Sequence, residues 1–269
     1  MRDYSKELSV ALNLVKMAGE EIMKSFKKNK IVETKEDGSL VTCADIESNR
    51  IILKGLKEHF PDDAIVSEEF PNKTRGRREW HIDPLDGTGS FVFGSDEFSI
   101  QVGFCENGKP VLGVVFRPVT GEIYYGVKNC GSYKICKNGD KVLLHVTNTK
   151  PENLVAVISY NEKTQLETEK ILKEVGIKNY FKFGGAGLKI ISITENKADI
   201  FFTVVTNSNT WDFCAPQIIL EEAGGIVEYV DGEEVFYANI TRFPKNLVFG
   251  KTKEQIRLIQ NYFLRINSF

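Results

Sequence analysis

Asp83-Pro84-Leu85-Asp86-Gly87-Thr88 is the densest concentration of chemistry in this 269-residue chain. Its two carboxylates, held by a proline, can converge on metal ions, and hard oxygen ligands suit Mg2+. The Gly87-Thr88 step, where it opens a helix, aims backbone N–H groups at an anion, and Thr88 adds a hydroxyl. The plain reading is an Asp-Gly turn with a capping Thr. Five specified residues match by chance in roughly one chain in ten thousand of this length. Plain readings also exist for the other acids. Glu68-Glu69 reads as a solvated loop, and Asp212 after Trp211 as an N-cap or first-turn aspartate. Asp45 closes the capping-box-like Thr42-x-x-Asp45. As a set, the acids at 68, 83, 86 and 212 are too many for an apolar cleft unless cations neutralise them.

Composition narrows the setting. Apolar residues make up 42% of the chain and charged residues 27%, which is ordinary for a globular protein. Lys plus Arg is 35 and Asp plus Glu is 37, a net charge of -2. No overall field holds a nucleic-acid polymer or an anionic membrane, so an anionic substrate needs a local device. The five cysteines, Cys43, Cys105, Cys130, Cys136 and Cys214, form no Cys-x-x-Cys pair. They argue against a disulfide framework or zinc knuckle and suit a reducing cytoplasm. No apolar run approaches the roughly 20 residues of a membrane span. Asp3 and Glu7 stand near the start, with no signal-peptide apolar block. The expectation is a soluble cytoplasmic protein.

The elements that must position these groups follow from periodicity. Leu8, Leu12, Val15, Gly19, Ile22 and Phe26 predict one amphipathic helix over 3–28. A second helix spans about 43–60, with Ile46, Ile52, Leu53, Leu56 and Phe60 inward, and Pro61-Asp62 stops it. Short strands are expected at 64–67 and 79–82. Five more, at 98–105, 111–116, 123–127, 133–136 and 142–146, are separated by Asn107-Gly108, Thr120-Gly121, Cys130-Gly131 and Asn138-Gly139. That pattern is an antiparallel meander. Beyond Pro151 strands alternate with helices at 162–175, 187–196, 212–223 and 252–265, as in an α/β unit. The change falls near 147–153, giving an α+β half over 1–148 and an α/β half over 149–269.

The set Asp45, Glu68-Glu69, D-P-L-D-G-T and W-D-x-x-A resembles the signature of the lithium-sensitive, Mg2+-dependent phosphomonoesterases of the inositol monophosphatase superfamily. The match runs from about residue 35 to 230. It implies a layered αβαβα sandwich of the inositol monophosphatase and fructose-1,6-bisphosphatase type. It also implies two or three Mg2+ per site and hydrolysis of a small phosphorylated substrate by a monomer or homodimer. By resemblance, Glu68, Asp83, Asp86, Asp212 and the Leu85 carbonyl are metal ligands. Asp45 and Thr88 are the dyad that orients the attacking water. Two metals would activate water and stabilise the leaving oxygen, and the Gly87 and Thr88 amides would meet the developing phosphoryl charge. There is no sign of a covalent nucleophile, and His59, His81 and His145 read as structural.

Three segments bear on the ester. Gly184-Gly185-Ala186-Gly187-Leu188-Lys189 and Trp211-Asp212-Phe213-Cys214-Ala215-Pro216 look most like the 3'(2'),5'-bisphosphate nucleotidases. Asp37-Gly38-Ser39-Leu40-Val41-Thr42 is similar to nucleotidase-type sequences too. Gly185, Ala186 and Lys189 are therefore substrate-binding candidates beside Gly87, Thr88 and Asp212. The plain reading of the glycine run is a tight strand-to-helix turn. Inositol phosphatases carry a glutamate shortly before the W-D pair, and many nucleotidases an arginine. The stretch 203–206 has neither. The expected substrate is adenosine 3',5'-bisphosphate; the alternatives are inositol 1-phosphate, a sugar phosphate such as fructose 1,6-bisphosphate, or a catalytically silent protein on this fold.

Overall fold

The computed structural model describes residues 2–26, 32–34, 40–70, 75–205 and 208–266. Helix α1 (Ser5–Ser25) buries Ala11, Leu14, Val15, Ala18 and Ile22 on one face. The expected end of this helix at 27–28, the segment Asp37–Ser39 and Thr206 lie outside the described residues. A short exposed strand β1 (Val32–Thr34), which periodicity did not announce, pairs with β2 (Leu40–Thr42). Helix α2 (Cys43–His59) follows directly. Its Thr42 and Asp45 form a reciprocal capping box, so each satisfies a backbone N–H of the first turn. Ile46 is 48% exposed and belongs to the outer face, not to the core expected for it. It falls between the helix positions that face the sheet.

Seven strands form the first sheet in sequential order: β3 (Ala64–Ser67), β4 (Arg78–Asp86), β5 (Ser99–Glu106), β6 (Lys109–Arg117), β7 (Glu122–Val127), β8 (Gly131–Ile135) and β9 (Lys141–Leu144). Helix α3 (Thr88–Phe93) sits between β4 and β5. Only β3 and β4 run parallel; the rest is the expected meander. Asn107 (φ 52°) and Gly108 (φ 76°) take the left-handed conformation that a tight hairpin requires.

The second sheet comprises β10 (Val155–Ile158), β11 (Asn179–Lys182), β12 (Ile200–Phe202), β13 (Ile226–Tyr229) and β14 (Leu247–Gly250). Their order across it is β11-β10-β12-β14-β13. Helices α4 (Glu162–Glu174) and α7 (Lys253–Ile266) cover its outer face. Helices α5 (Ala186–Thr194) and α6 (Cys214–Glu222) lie between the two sheets, while α1 and α2 cover the far side of the first. The layers are αβαβα.

The middle layer is set by a row of glycines. Gly103, Gly113 and Gly126 are paired neighbours across β5, β6 and β7. A Cβ at Gly103 would fall 2.5 Å from Cys214 Sγ, and one at Gly126 would fall 2.8 Å from the Ile219 Cα. The row is a groove that admits the α6 backbone, and the chain just before α6 meets β4 where Thr210 contacts His81.

Candidate active site

Sequence places Asp83-Pro84-Leu85-Asp86 after a strand; the structure places it within one. β4 continues to Asp86 through a register shift between Asp83 and Asp86. Pro84 has no N–H for a ladder, so a bulge at this point is the natural accommodation. The bulge has a consequence for chemistry. Side chains three apart on a regular strand point to opposite faces. Here Asp83 pairs with Gln101 and Asp86 with Ser99, partners that share a face of β5. Both carboxylates therefore leave β4 on one side.

Asp45 serves as a cap and as a partner of the motif at once. It is fully buried. Its Oδ2 accepts from the Thr42 amide at 2.8 Å and the Thr42 hydroxyl at 2.6 Å. Its Oδ1 lies 3.1 Å from Thr88 Oγ1. That hydroxyl is also 3.1 Å from the Leu85 carbonyl, so a single proton faces both acceptors. Burial raises the Asp45 pKa, and the bonds from Thr42 and Thr88 partly offset the rise.

Glu68 follows β3 in a turn, its amide donating to the Ile82 carbonyl at 3.2 Å. It is half-buried. Asp212 lies two residues before α6 rather than inside it, in a turn closed by the Phe213 and Cys214 amides on the Thr210 carbonyl. Burial pushes Asp83 well above the usual carboxylate range, and the charges of Glu68, Asp86 and Asp212 push it further. Asp212 is raised well above that range by burial, then by Glu68 and Asp86. The four acids named from sequence thus share one electrostatic site. Glu68 is the member of its pair whose charge acts on both.

Asp86 has a second engagement. Its Oδ1 accepts from the Ala186 amide at 2.7 Å, and its Oδ2 from the Gly187 amide at 2.9 Å and the Ser99 hydroxyl at 3.2 Å. The carboxylate seats the N-terminus of α5, where the helix dipole favours negative charge. Gly185 has φ 61°, and a Cβ there would lie 2.6 Å from Asp86 Oδ2. The glycine run is therefore both a strand-to-helix turn and a close approach to the acids. Lys189, one turn on, is only 6% exposed. Its ammonium donates to the Gly185 carbonyl at 2.8 Å and lies 5.5 Å from the centre of the Phe201 ring. Burial lowers its pKa, opposed by Asp86, Asp212 and Glu97.

Two cavities open beside these groups. A cleft of about 680 Å³ is lined by Gly87, Gly89, Ser90, Gly184 and Gly185 among others. A smaller cavity of about 180 Å³ is lined by Ala186, Lys189, Phe201 and Thr203 among others. Buried carboxylates beside a glycine-lined cleft fit the chemistry of phosphate-ester hydrolysis. The model of the inositol monophosphatase family matches residues 3–259.

The chain belongs to the inositol monophosphatase family.

It is 31% identical over 244 residues to a fructose-1,6-bisphosphatase/inositol-1-monophosphatase of Thermotoga maritima, covering 90% of each chain. It is also 31% identical over 236 residues to the 3'(2'),5'-bisphosphate nucleotidase CysQ of Salmonella typhimurium, covering 86% of this chain and 93% of that one. An inositol monophosphatase structure from T. maritima superposes with a TM-score of 0.81 at 29% identity, over 97% of this chain and 99% of that one. CysQ from Bacteroides thetaiotaomicron shares the fold at a TM-score of 0.77. The αβαβα architecture expected from sequence is that of this family. The chain is a phosphatase, a hydrolase of phosphate esters, in a family that is metal-dependent. Among the described residues no helix is long and apolar enough to cross a membrane.

Glu68, Asp83, Asp86 and Asp212 offer only hard oxygens; burial disfavours the ionised forms of Asp83, Asp86 and Asp212, and the neighbouring acids add to this at Asp83 and Asp212, so an added cation would relieve the cluster. Gln101, directly opposite Asp83, is fully buried with no protein partner for either amide atom, a polar group placed for a ligand or its water. These residues fit a hard divalent ion. Among the described residues no three acids are drawn into a finished cage, and Asp86 is turned onto α5.

Several residues that the structure places beside these acids escaped the sequence reading. Ser99 and Gln101 lie in an alternating strand whose polar positions look like an ordinary solvent face. Glu97 accepts from the Gly184 amide at 2.7 Å, a contact that only the packing of the two sheets creates. Thr203, the nearest match to the absent arginine, is committed elsewhere. Its hydroxyl accepts from the Leu247 amide at 2.9 Å.

Proposed function

We propose that this phosphatase is a cytoplasmic, Mg2+-dependent 3'(2'),5'-bisphosphate nucleotidase that hydrolyses adenosine 3',5'-bisphosphate to AMP and phosphate and is inhibited by Li+. Glu68, Asp83, Asp86, Asp212 and the Leu85 carbonyl would hold two or three Mg2+. When bound, these ions supply Lewis-acid polarisation of the phosphoryl group and a water of lowered pKa. The chain's own residues do the rest. Thr88 Oγ1, donating to Asp45, turns a lone pair toward the attacking water and orients it. Asp45, its pKa raised by burial, can draw the proton relayed through that hydroxyl. The amides of Gly87 and Thr88 meet the charge that develops on the phosphoryl oxygens.

The observation that carries the substrate reading is Lys189. It is a buried cation at the junction of the acids and the smaller cavity, with Phe201 beneath it. A second phosphate in that cavity would take the ammonium in place of the Gly185 carbonyl, while a base lies against the Gly184-Gly185 wall of the larger cleft. Ala186, its amide held by Asp86, lines the smaller cavity beside Lys189. No carboxylate stands at 203–205 to receive inositol hydroxyls. A second reading, an inositol or sugar phosphate phosphatase, is favoured by the T. maritima relative. Phosphate release with and without Mg2+, from adenosine 3',5'-bisphosphate, inositol 1-phosphate and fructose 1,6-bisphosphate, separates them. The bisphosphate nucleotide should be the best substrate. A preference for inositol 1-phosphate promotes the second reading.

A further inference from the structure

Phe93, the last residue of α3, is 88% exposed. It is not an isolated surface aromatic, for it lines the 680 Å³ cleft with Gly87 and Gly185. Gly94, at φ 76°, ends the helix in a left-handed turn directly behind it. The ring stands outward at the mouth of the cleft. Tyr160, in the connection from β10 to α4, lines the same cleft and is 52% exposed.

Tyr160 is fastened in place. Its hydroxyl donates to Glu97 Oε1 at 3.2 Å, while Glu97 Oε2 accepts from the Gly184 amide at 2.7 Å. One carboxylate from the first sheet's side thereby fixes both the Tyr160 ring and the glycine wall. A Cβ at Gly184 would run into the Ser90 hydroxyl, so the wall stays bare. The resulting cleft has a phosphate-site turn at its base, a side-chain-free wall, and two aromatic rings contributed by different layers. Its volume suits a substrate of nucleotide size.

We propose that Phe93 and Tyr160 form a subsite that stacks the planar ring of the ester's leaving group. This rests on the phosphatase reading of the site and deepens the nucleotidase reading, because a nucleobase is such a ring. Aromatic faces accept rings by offset or edge contact without regard to their hydrogen-bonding edges, so the subsite selects for planarity rather than for one base.

The test compares an aromatic phosphate ester, 2-naphthyl phosphate, with an aliphatic one, glycerol 2-phosphate, on wild type, Phe93→Ala, Tyr160→Ala and Phe93→Trp. Ring stacking at this scale is worth a factor of roughly five to one hundred. The ratio of kcat/KM for the aromatic over the aliphatic ester should fall by that factor in each alanine variant, chiefly through KM. Phe93→Trp should keep the wild-type ratio. An unchanged ratio in both alanine variants overturns the subsite. So does a loss of self-association in Phe93→Ala, seen by sedimentation, with an unchanged ratio, which would make the ring a contact between copies. Because neither probe is a nucleotide, a wild type that prefers inositol 1-phosphate would sink the nucleotidase reading and leave this comparison valid.

Discussion

His81 Nδ1 lies 3.0 Å from the Thr210 hydroxyl, and both side chains are fully shielded from solvent. His81 precedes Asp83 on β4, and Thr210 closes the turn that carries Asp212. One contact therefore joins the segment that carries Asp83 to the one that carries Asp212, far apart in the chain. Burial lowers the His81 pKa, so the ring is neutral. Its Nε2 faces Glu79 at 3.6 Å, an electrostatic contact longer than a hydrogen bond. The network assigns the proton to Nε2 and makes Nδ1 the acceptor for Thr210.

Thr210→Val keeps the shape and leaves the buried Nδ1 without a donor. It should destabilise the fold by about 1–3 kcal/mol. It should also raise the Mg2+ concentration needed for half-maximal activity, because the Asp212 turn loses an anchor. Thr210→Ser should restore both. Urea midpoints and a Mg2+ titration measure them; a valine variant indistinguishable from wild type in both would dissolve the anchoring role.

Asp83→Asn should abolish turnover while sparing the fold. Burial and neighbouring acids raise the Asp83 pKa, so its ionised form opposes folding when no cation is present. Neutralising it should raise stability in EDTA by on the order of 1 kcal/mol. Phosphate release should drop at least roughly 100-fold. Wild-type turnover at saturating Mg2+ would remove Asp83 from the ligand set.

Lys189→Ala should remove the cation that a second phosphate meets. A charge-assisted hydrogen bond of about 1.5–3 kcal/mol corresponds to roughly a ten- to hundredfold loss. The loss in kcat/KM should appear for adenosine 3',5'-bisphosphate and be much smaller for adenosine 2'-monophosphate. Equal losses on both would mean that Lys189 does not read the second phosphate.

Glu221, at the far end of α6, tests the electrostatics away from the site. Burial raises its pKa from 4.5 to about 7, with Gln217 opposing and Glu222 and Glu234 adding to the rise. A carboxyl raised in the folded state contributes stability fully present below pH 4.5 and lost as pH rises through about 7. Glu221→Gln should therefore match wild type near pH 4.5 and exceed it by about 1–3 kcal/mol at pH 8. Urea midpoints across that range report it. A constant difference between the two proteins would mean that Glu221 titrates normally.

Much of this protein was legible without coordinates. The meander followed from alternation and glycine turns, and the second sheet from strand–helix alternation, because both depend on spacing along the chain. Asp83 and Asp86 were legible because their motif is compact, and Asp45, Glu68 and Asp212 only as members of a set that resembles a family signature. Three things were not. Helical period alone could not tell that Ile46 faces outward, since the width of the buried stripe is set by the partner surface. Nothing local announces that Gly103, Gly113 and Gly126 line up, because their alignment is a matter of strand register; yet that row seats α6 and carries Asp212 to the site. Phe93 and Tyr160 are ordinary aromatics in sequence, and only the packing of two sheets turns them toward one cleft. Sequence determines which groups are present and how each element repeats. Tertiary structure decides which faces meet, because register, bulges and close backbone approach act between residues far apart in the chain.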